Sequence, residues 1–113
     1  MARYRRNFIA GGTFFFTVKL ADPKSRLLVE HIDLLRMAYM DVQKQYPFET
    51  VAVCVLPNHI HAIWTLPPDD ADYSLRWRLI KTKFSAHFPR AENLSASKQR
   101  RNERGIWQRC FYE

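Results

Sequence analysis

The chain has 113 residues, 47% hydrophobic and 14% aromatic, enough for one modest core and too apolar for a disordered polymer. Its 18 Lys and Arg against 11 Asp and Glu give a net charge of +7, which favours an anionic partner such as nucleic acid or an anionic membrane surface. No apolar run approaches the ~18 residues of a membrane span, and the opening MARYRRNFIAGG lacks an apolar signal core, so a cytoplasmic protein is expected.

The first element follows a basic start, Arg3, Arg5 and Arg6, and the pair Gly11–Gly12. TFFFTVKL (13–20) is rich in aromatic and β-branched residues, and the turn chemistry of ADPKS comes next, so it reads as a strand. From Leu28 the apolar positions Leu28, Ile32, Leu35, Tyr39, Val42 and Tyr46 advance in steps of three and four, the face of one long helix that Pro47 stops. TVAVCVL (50–56) is a continuous apolar run and predicts a buried strand; Cys54 within it, like Cys110, shows no zinc-type spacing and reads as a reduced structural thiol. Pro57–Asn58 then supplies a turn, and HIHAIWTL (59–66) returns as the second arm of a hairpin.

PPDDADYS (67–74) is a loop in which Asp69, Asp70 and Asp72 read as a solvated helix-start cluster. SLRWRLIKTKFSAHFP (74–89) is helical, with Trp77, Ile80, Phe84 and Phe88 along its buried stripe. Arg76 and Lys83 flank the stripe on one side, Arg78 and Lys81 on the other. Residues 90–105 are polar, basic and aperiodic, and IWQRCFYE (106–113) reads as a last strand. The order β-α-β-β-α-β makes this an α+β chain, a single ferredoxin-like domain over 1–113 with an antiparallel sheet and both helices on one face.

Alternation in the third strand places His59, His61, Ile63 and Thr65 on one face and Ile60, Ala62, Trp64 and Leu66 on the other. Packing Trp64 under the helices leaves the histidines on the open face. Two imidazoles there admit two readings: a grip on a divalent cation with positions left for phosphate and water, or ordinary surface histidines of a hairpin. His31 and His87, on helices, read as structural, and no acidic residue presents itself as a third ligand. The basic residues fall into three clusters, the N-terminal arm, the 76–83 helix and the loop with Lys98, Arg100, Arg101 and Arg104. With Tyr4, Phe8 and Trp107 nearby, these could hold phosphates and stack unpaired bases.

YRRNFIAGGTFFFTVKL, LPNHIHAIWTLP, WRLIKTKF and IWQRCFYE together resemble the REP-associated tyrosine transposases, within the HUH single-strand nucleases. His59-Ile60-His61 matches the histidine–hydrophobic–histidine motif. The resemblance implies that His59 and His61 hold Mg²⁺ or Mn²⁺ and that a tyrosine attacks single-stranded DNA, giving a 5′-phosphotyrosine. It implies a hairpin-bearing single-stranded DNA as partner. Tyr4, Arg5 and Arg6 with Gly11 and Gly12 would read a short unpaired stretch at its foot. Arg76, Arg78, Lys81 and Lys83 would contact the hairpin, and Arg100, Arg101 and Arg104 complete the basic surface.

The family's nucleophilic tyrosine lies on a helix beyond the WQRxFYE-like strand, and the expectation here is a chain that ends at Glu113 before that helix. Tyr112, in the predicted last strand, is a poor substitute, and supply from another chain is an alternative. Three functions are therefore weighed: a DNA-cleaving and rejoining domain, a non-catalytic binder of hairpin DNA, and a metal hydrolase acting on a small substrate. The last lacks a visible general base.

Overall fold

The computed structural model describes residues 9–88 and 105–108. It contains β1 (Thr13–Lys19), α1 (Leu27–Glu30), α2 (Ile32–Gln45), β2 (Glu49–Val55), β3 (His59–Thr65) and α3 (Tyr73–Ser85). The strands form one antiparallel sheet in the order β1-β3-β2. An antiparallel bridge from Leu20 to Trp107 sets the start of the expected last strand beside β1, the position of the fourth strand in a ferredoxin-like sheet.

The core forms because strand alternation and helical periodicity supply matching apolar faces. Phe14, Phe16 and Val18 of β1 and Ile60, Ala62 and Trp64 of β3 are buried on one side of the sheet. Against them pack Leu35, Ala38 and Val42 of α2 and Tyr73, Trp77, Ile80 and Phe84 of α3. Removing a side chain such as Phe16, Leu28 or Ile80 from water contributes about 1.5–3 kcal/mol each. The α3 start is capped as its sequence predicts, with Asp72 accepting the Leu75 N–H at 3.0 Å.

Two elements depart from the sequence reading. The long helix is interrupted at His31 (φ −122°, ψ 41°), leaving the single turn α1 and then α2. Periodicity does not register the break, because Leu28 and Leu35 remain seven residues apart and both reach the core. Strand β2 is not buried: it lies at one side of the sheet, with Val51 54% and Val53 47% exposed. Cys54 is exposed as well, so it is not a core thiol. The register shift between Thr50 and Ala52 leaves Val51 as an extra residue, a bulge of the kind that blunts an edge against further pairing.

Gly11 is required by its backbone. It has φ +70°, and an added Cβ would lie 3.1 Å from Pro68 Cα. Its N–H donates to the Asp70 carbonyl at 3.0 Å, which ties the entry of β1 to the loop before α3. Gly11→Ala is therefore expected to lower the unfolding free energy by about 1–2 kcal/mol, read by urea denaturation, through left-handed strain alone. An unchanged midpoint would mean that this turn relaxes freely.

Candidate functional site

The sheet face opposite the described helices carries the histidines. Register pairs Lys19 with His59 and Thr17 with His61 across β1 and β3, and Cys54 with His61 across β2 and β3. The two rings meet edge-on with centroids 4.8 Å apart. Phe15, half-exposed on the same face, lies 5.9 Å from the His61 ring. Around the pair is a cleft of about 550 Å³ lined by Thr17, Lys19, Leu20, Pro23, Asn58, His59, His61 and Gln108.

Each imidazole is held from one side. His59 Nδ1 is 2.7 Å from Asn58 Oδ1, and His61 Nδ1 is 3.1 Å from Thr17 Oγ1. Burial, followed by the neighbouring charges of His61 and Lys19, pushes the His59 pKa below the ordinary imidazole value. A neutral ring is the form that can donate a lone pair to a cation. Among the described residues no group of three or more His, Cys, Asp or Glu could hold a metal ion. Two imidazoles are only part of a metal's donor set, and a cation held by them would need its other positions filled by groups such as phosphate oxygens and water.

Of the expected DNA-contacting residues, Arg78 and Lys83 are exposed on α3. Arg76 is not a surface residue: it is 1% exposed, and its guanidinium donates to the carbonyls of Tyr46, Pro47 and Asp72 and to Asp70 Oδ2. The reading of Arg76 as a hairpin contact is corrected accordingly. Placing it on a flank of the apolar stripe was right, but a flank next to the α2–β2 corner is interior. Lys81 turns toward the chain's own 105–108 segment, donating to the Gln108 carbonyl at 3.2 Å with its ammonium 6.0 Å from the Trp107 ring centre. Asp70, expected to be solvated, is the partner of Arg76 at 2.9 Å.

Gly11 and Gly12 lie at the end of β1 opposite Lys19, and therefore a strand's length from the histidine pair. Tyr4, Arg5, Arg6, Arg100, Arg101, Arg104 and Tyr112 fall outside the described residues. Tyr39 and Tyr73 pack on the helical side of the sheet, and no described tyrosine lines the cleft. His31 lies between α1 and α2 rather than within the expected helix, and its ring packs edge-on against Phe88 at 4.9 Å.

Sequence reasoning missed Thr17, Lys19, Asn58 and Gln108 as parts of the site. Asn58 was in plain view as the residue before His59. Thr17 and Lys19 become neighbours of the histidines only through the β1–β3 register, and Gln108 only through its N–H bond to the Lys19 carbonyl at 2.9 Å. Among the described residues no helix is long and apolar enough to cross a membrane.

No protein-family model matches the chain. A Haemophilus influenzae protein carrying the name REP-associated tyrosine transposase is 42% identical over 114 residues, covering 100% of this chain and 65% of that protein. An Escherichia coli REP-associated tyrosine transposase is 51% identical over 85 residues, covering 75% of this chain and 52% of its relative. A solved structure of a REP-associated tyrosine transposase bound to a REP hairpin matches with a TM-score of 0.80 and 42% identity, over 99% of this chain and 60% of the solved one. The chain thus spans between half and two thirds of the length of these relatives. With sequence likeness carried along the whole chain and the same α+β fold beneath it, the chain is a homologue of these REP-associated tyrosine transposases.

Proposed function

We propose that this domain binds single-stranded DNA bearing a hairpin and that its open sheet face is where metal-assisted cleavage and rejoining take place, through a 5′-phosphotyrosine. One observation carries the reading: His59 and His61 share the sheet face that no described helix covers, in a fold that superposes on a relative bound to a REP hairpin. In this reading His59 and His61 hold Mg²⁺ or Mn²⁺ through ring nitrogens. The bound cation supplies Lewis-acid polarisation of the scissile phosphate.

The chain's own residues then position the DNA. Lys19, beside His59 on the same face, places positive charge next to the phosphate. Arg78 and Lys83 on α3 contact the hairpin, Tyr4, Arg5 and Arg6 with Gly11–Gly12 at the β1 entry read the unpaired stretch at its foot, and Arg100, Arg101 and Arg104 add positive charge for the phosphates. The tyrosine that the family resemblance implies attacks phosphorus through its hydroxyl oxygen, the new O–P bond replaces the P–O3′ bond, and the proton released by the hydroxyl is balanced by the one the freed 3′ oxygen takes up. The phosphotyrosine conserves the bond energy for rejoining, so no external energy source is needed. A second reading, a DNA-binding module without cleavage, is favoured by one fact: no tyrosine among the described residues lines the histidine cleft.

The test mixes the purified chain with a labelled hairpin oligonucleotide carrying a single-stranded flank, with and without Mn²⁺. A retarded complex is expected, weakening steeply with salt. Arg78→Ala should reduce the slope of log affinity against log salt by about 0.7–0.9, one phosphate contact, whereas no retardation at low salt would end the DNA reading. A denaturant-resistant adduct that requires Mn²⁺ and disappears in His59→Ala supports cleavage. Retardation with no adduct selects the binding module.

A further inference from the structure

An imidazole has two nitrogens, and a metal site built on it needs the correct one to be unprotonated. At His59 the hydrogen bonds decide which. Asn58 Nδ2 donates to the Pro23 carbonyl oxygen at 2.9 Å. A carbonyl can only accept, so this bond identifies the nitrogen end of the amide. The amide oxygen therefore faces His59 Nδ1, at 2.7 Å. That oxygen also only accepts, so Nδ1 carries the proton and the lone pair of the neutral ring is on Nε2.

The amide is itself fixed in place. The Asn58 backbone carbonyl accepts the Leu20 N–H at 2.8 Å, and the Leu56 N–H donates to the His59 carbonyl at 2.8 Å, closing the turn. Side chain and backbone of one residue thus join the end of β1, the Pro23 turn and the histidine strand. His61 offers a contrast. Its Nδ1 faces the Thr17 hydroxyl at 3.1 Å, and a hydroxyl can donate or accept, so this contact leaves the His61 tautomer open.

We infer that Asn58 is a positioning residue, which holds His59 in the Nδ1–H tautomer and so leaves Nε2 as its ligand nitrogen for a divalent cation. The inference rests on the metal reading of the pair given above and deepens it. Asparagine suits the task better than aspartate, because its amide accepts from the ring and donates to Pro23 at once, without adding a negative charge beside the site.

The experiment uses ¹⁵N–¹H correlation spectra of the imidazole rings in the metal-free chain at about pH 8.5, well above the usual histidine value. Wild type, Asn58→Ala and Asn58→Asp are compared, and each is then titrated with Mn²⁺ while ring signals are followed for broadening. His59 should be in the Nδ1–H form in wild type and in Asn58→Asp, which keeps the acceptor. In Asn58→Ala it should move toward the Nε2–H form that solvated imidazoles favour. The His61 spectrum should stay the same in all three, showing that the sheet is intact. Apparent Mn²⁺ affinity should fall by about 10–100-fold in Asn58→Ala.

Finding His59 as Nε2–H in the wild-type chain overturns the inference, whether or not the alanine variant folds. So does an unchanged His59 tautomer in a folded Asn58→Ala. Absence of Mn²⁺ broadening at both wild-type rings would instead remove the metal reading, while the tautomer comparison still decides whether Asn58 orients the ring.

Discussion

Arg76→Ala lowers the unfolding free energy by about 3–5 kcal/mol and the melting temperature by on the order of 10–20 °C, whereas Arg78→Ala changes stability by less than about 0.5 kcal/mol. The contrast follows from where the two side chains lie. The Arg76 guanidinium joins α3 to the α2–β2 corner through the Tyr46 and Pro47 carbonyls at 3.1 and 2.8 Å, and to its own helix start through the Asp72 carbonyl at 3.0 Å. Truncation leaves those carbonyls and Asp70 without their donor inside a packed corner, and an acceptor stranded in this way costs its full desolvation. Arg78 is exposed, so its loss removes charge and little packing. Thermal and urea denaturation of both variants checks this; equal stability would return Arg76 to the surface.

The same corner has a pH signature. The hydrogen bond from Arg76, then that from the Asp72 backbone N–H, hold the Asp70 carboxyl below its ordinary 3.8, with burial opposing them. A depressed carboxylate contributes stability that is fully present above the ordinary value and lost as pH falls through the folded one. Stability should therefore drop below about pH 4, and Asp70→Asn should flatten that limb of the profile. The effect should be smaller than that of Arg76→Ala, because the Asp70 side chain is 34% exposed and water screens it.

Trp64→Ala is expected to cost about 3–5 kcal/mol, enough to leave a chain of this size partly unfolded at room temperature. Trp64 is fully buried and is stacked between Phe48, at 4.0 Å, and Trp77, at 4.4 Å. Its indole N–H donates to the Tyr39 hydroxyl at 2.9 Å, which in turn meets Thr50 Oγ1. One side chain thereby ties β3 to β2 and to both α2 and α3. Trp64→Phe keeps an aromatic ring and removes one of the two hydrogen-bond partners of the Tyr39 hydroxyl, Thr50 remaining, so its cost should be intermediate. Trp77→Phe provides the control: the Trp77 indole N–H is buried with no partner among the described residues, so replacing it removes an unpaired donor and should cost less than Trp64→Phe. Denaturation midpoints that reverse this order would show that ring area, not the N–H bond, sets the cost.

Much of this domain was legible in the order of its residues because period-2 and period-3.6 patterns are local. TFFFTVK and HIHAIWT alternate cleanly, so the sequence placed Trp64 inward and both histidines outward, and both placements hold. The helix expected over 74–89, which ends at Ser85, and the helix-start cluster before it were equally local, as was the β-α-β-β-α order. Two misreadings came from the limits of the same patterns. A run such as TVAVCVL has the same hydropathy at the edge of a sheet as at its centre, and only the strand order decides that Val51, Val53 and Cys54 meet solvent. A helical stripe survives a one-residue break, so His31 interrupts the helix unannounced.

What the sequence determined on its own was therefore the set of elements, the faces they bury and the pair His59–His61 as the chemically distinctive feature, because each depends on neighbours a few residues away. What only the tertiary structure decided was which side chains meet across long separations. It set Thr17 and Lys19 against the histidines through strand register, turned Asn58 between Pro23 and His59, and brought Arg76 to Asp70 and the α2–β2 corner. A charged residue reads as surface until the fold gives it buried acceptors, and a histidine reads as a ligand only when neighbouring groups settle which of its nitrogens is free.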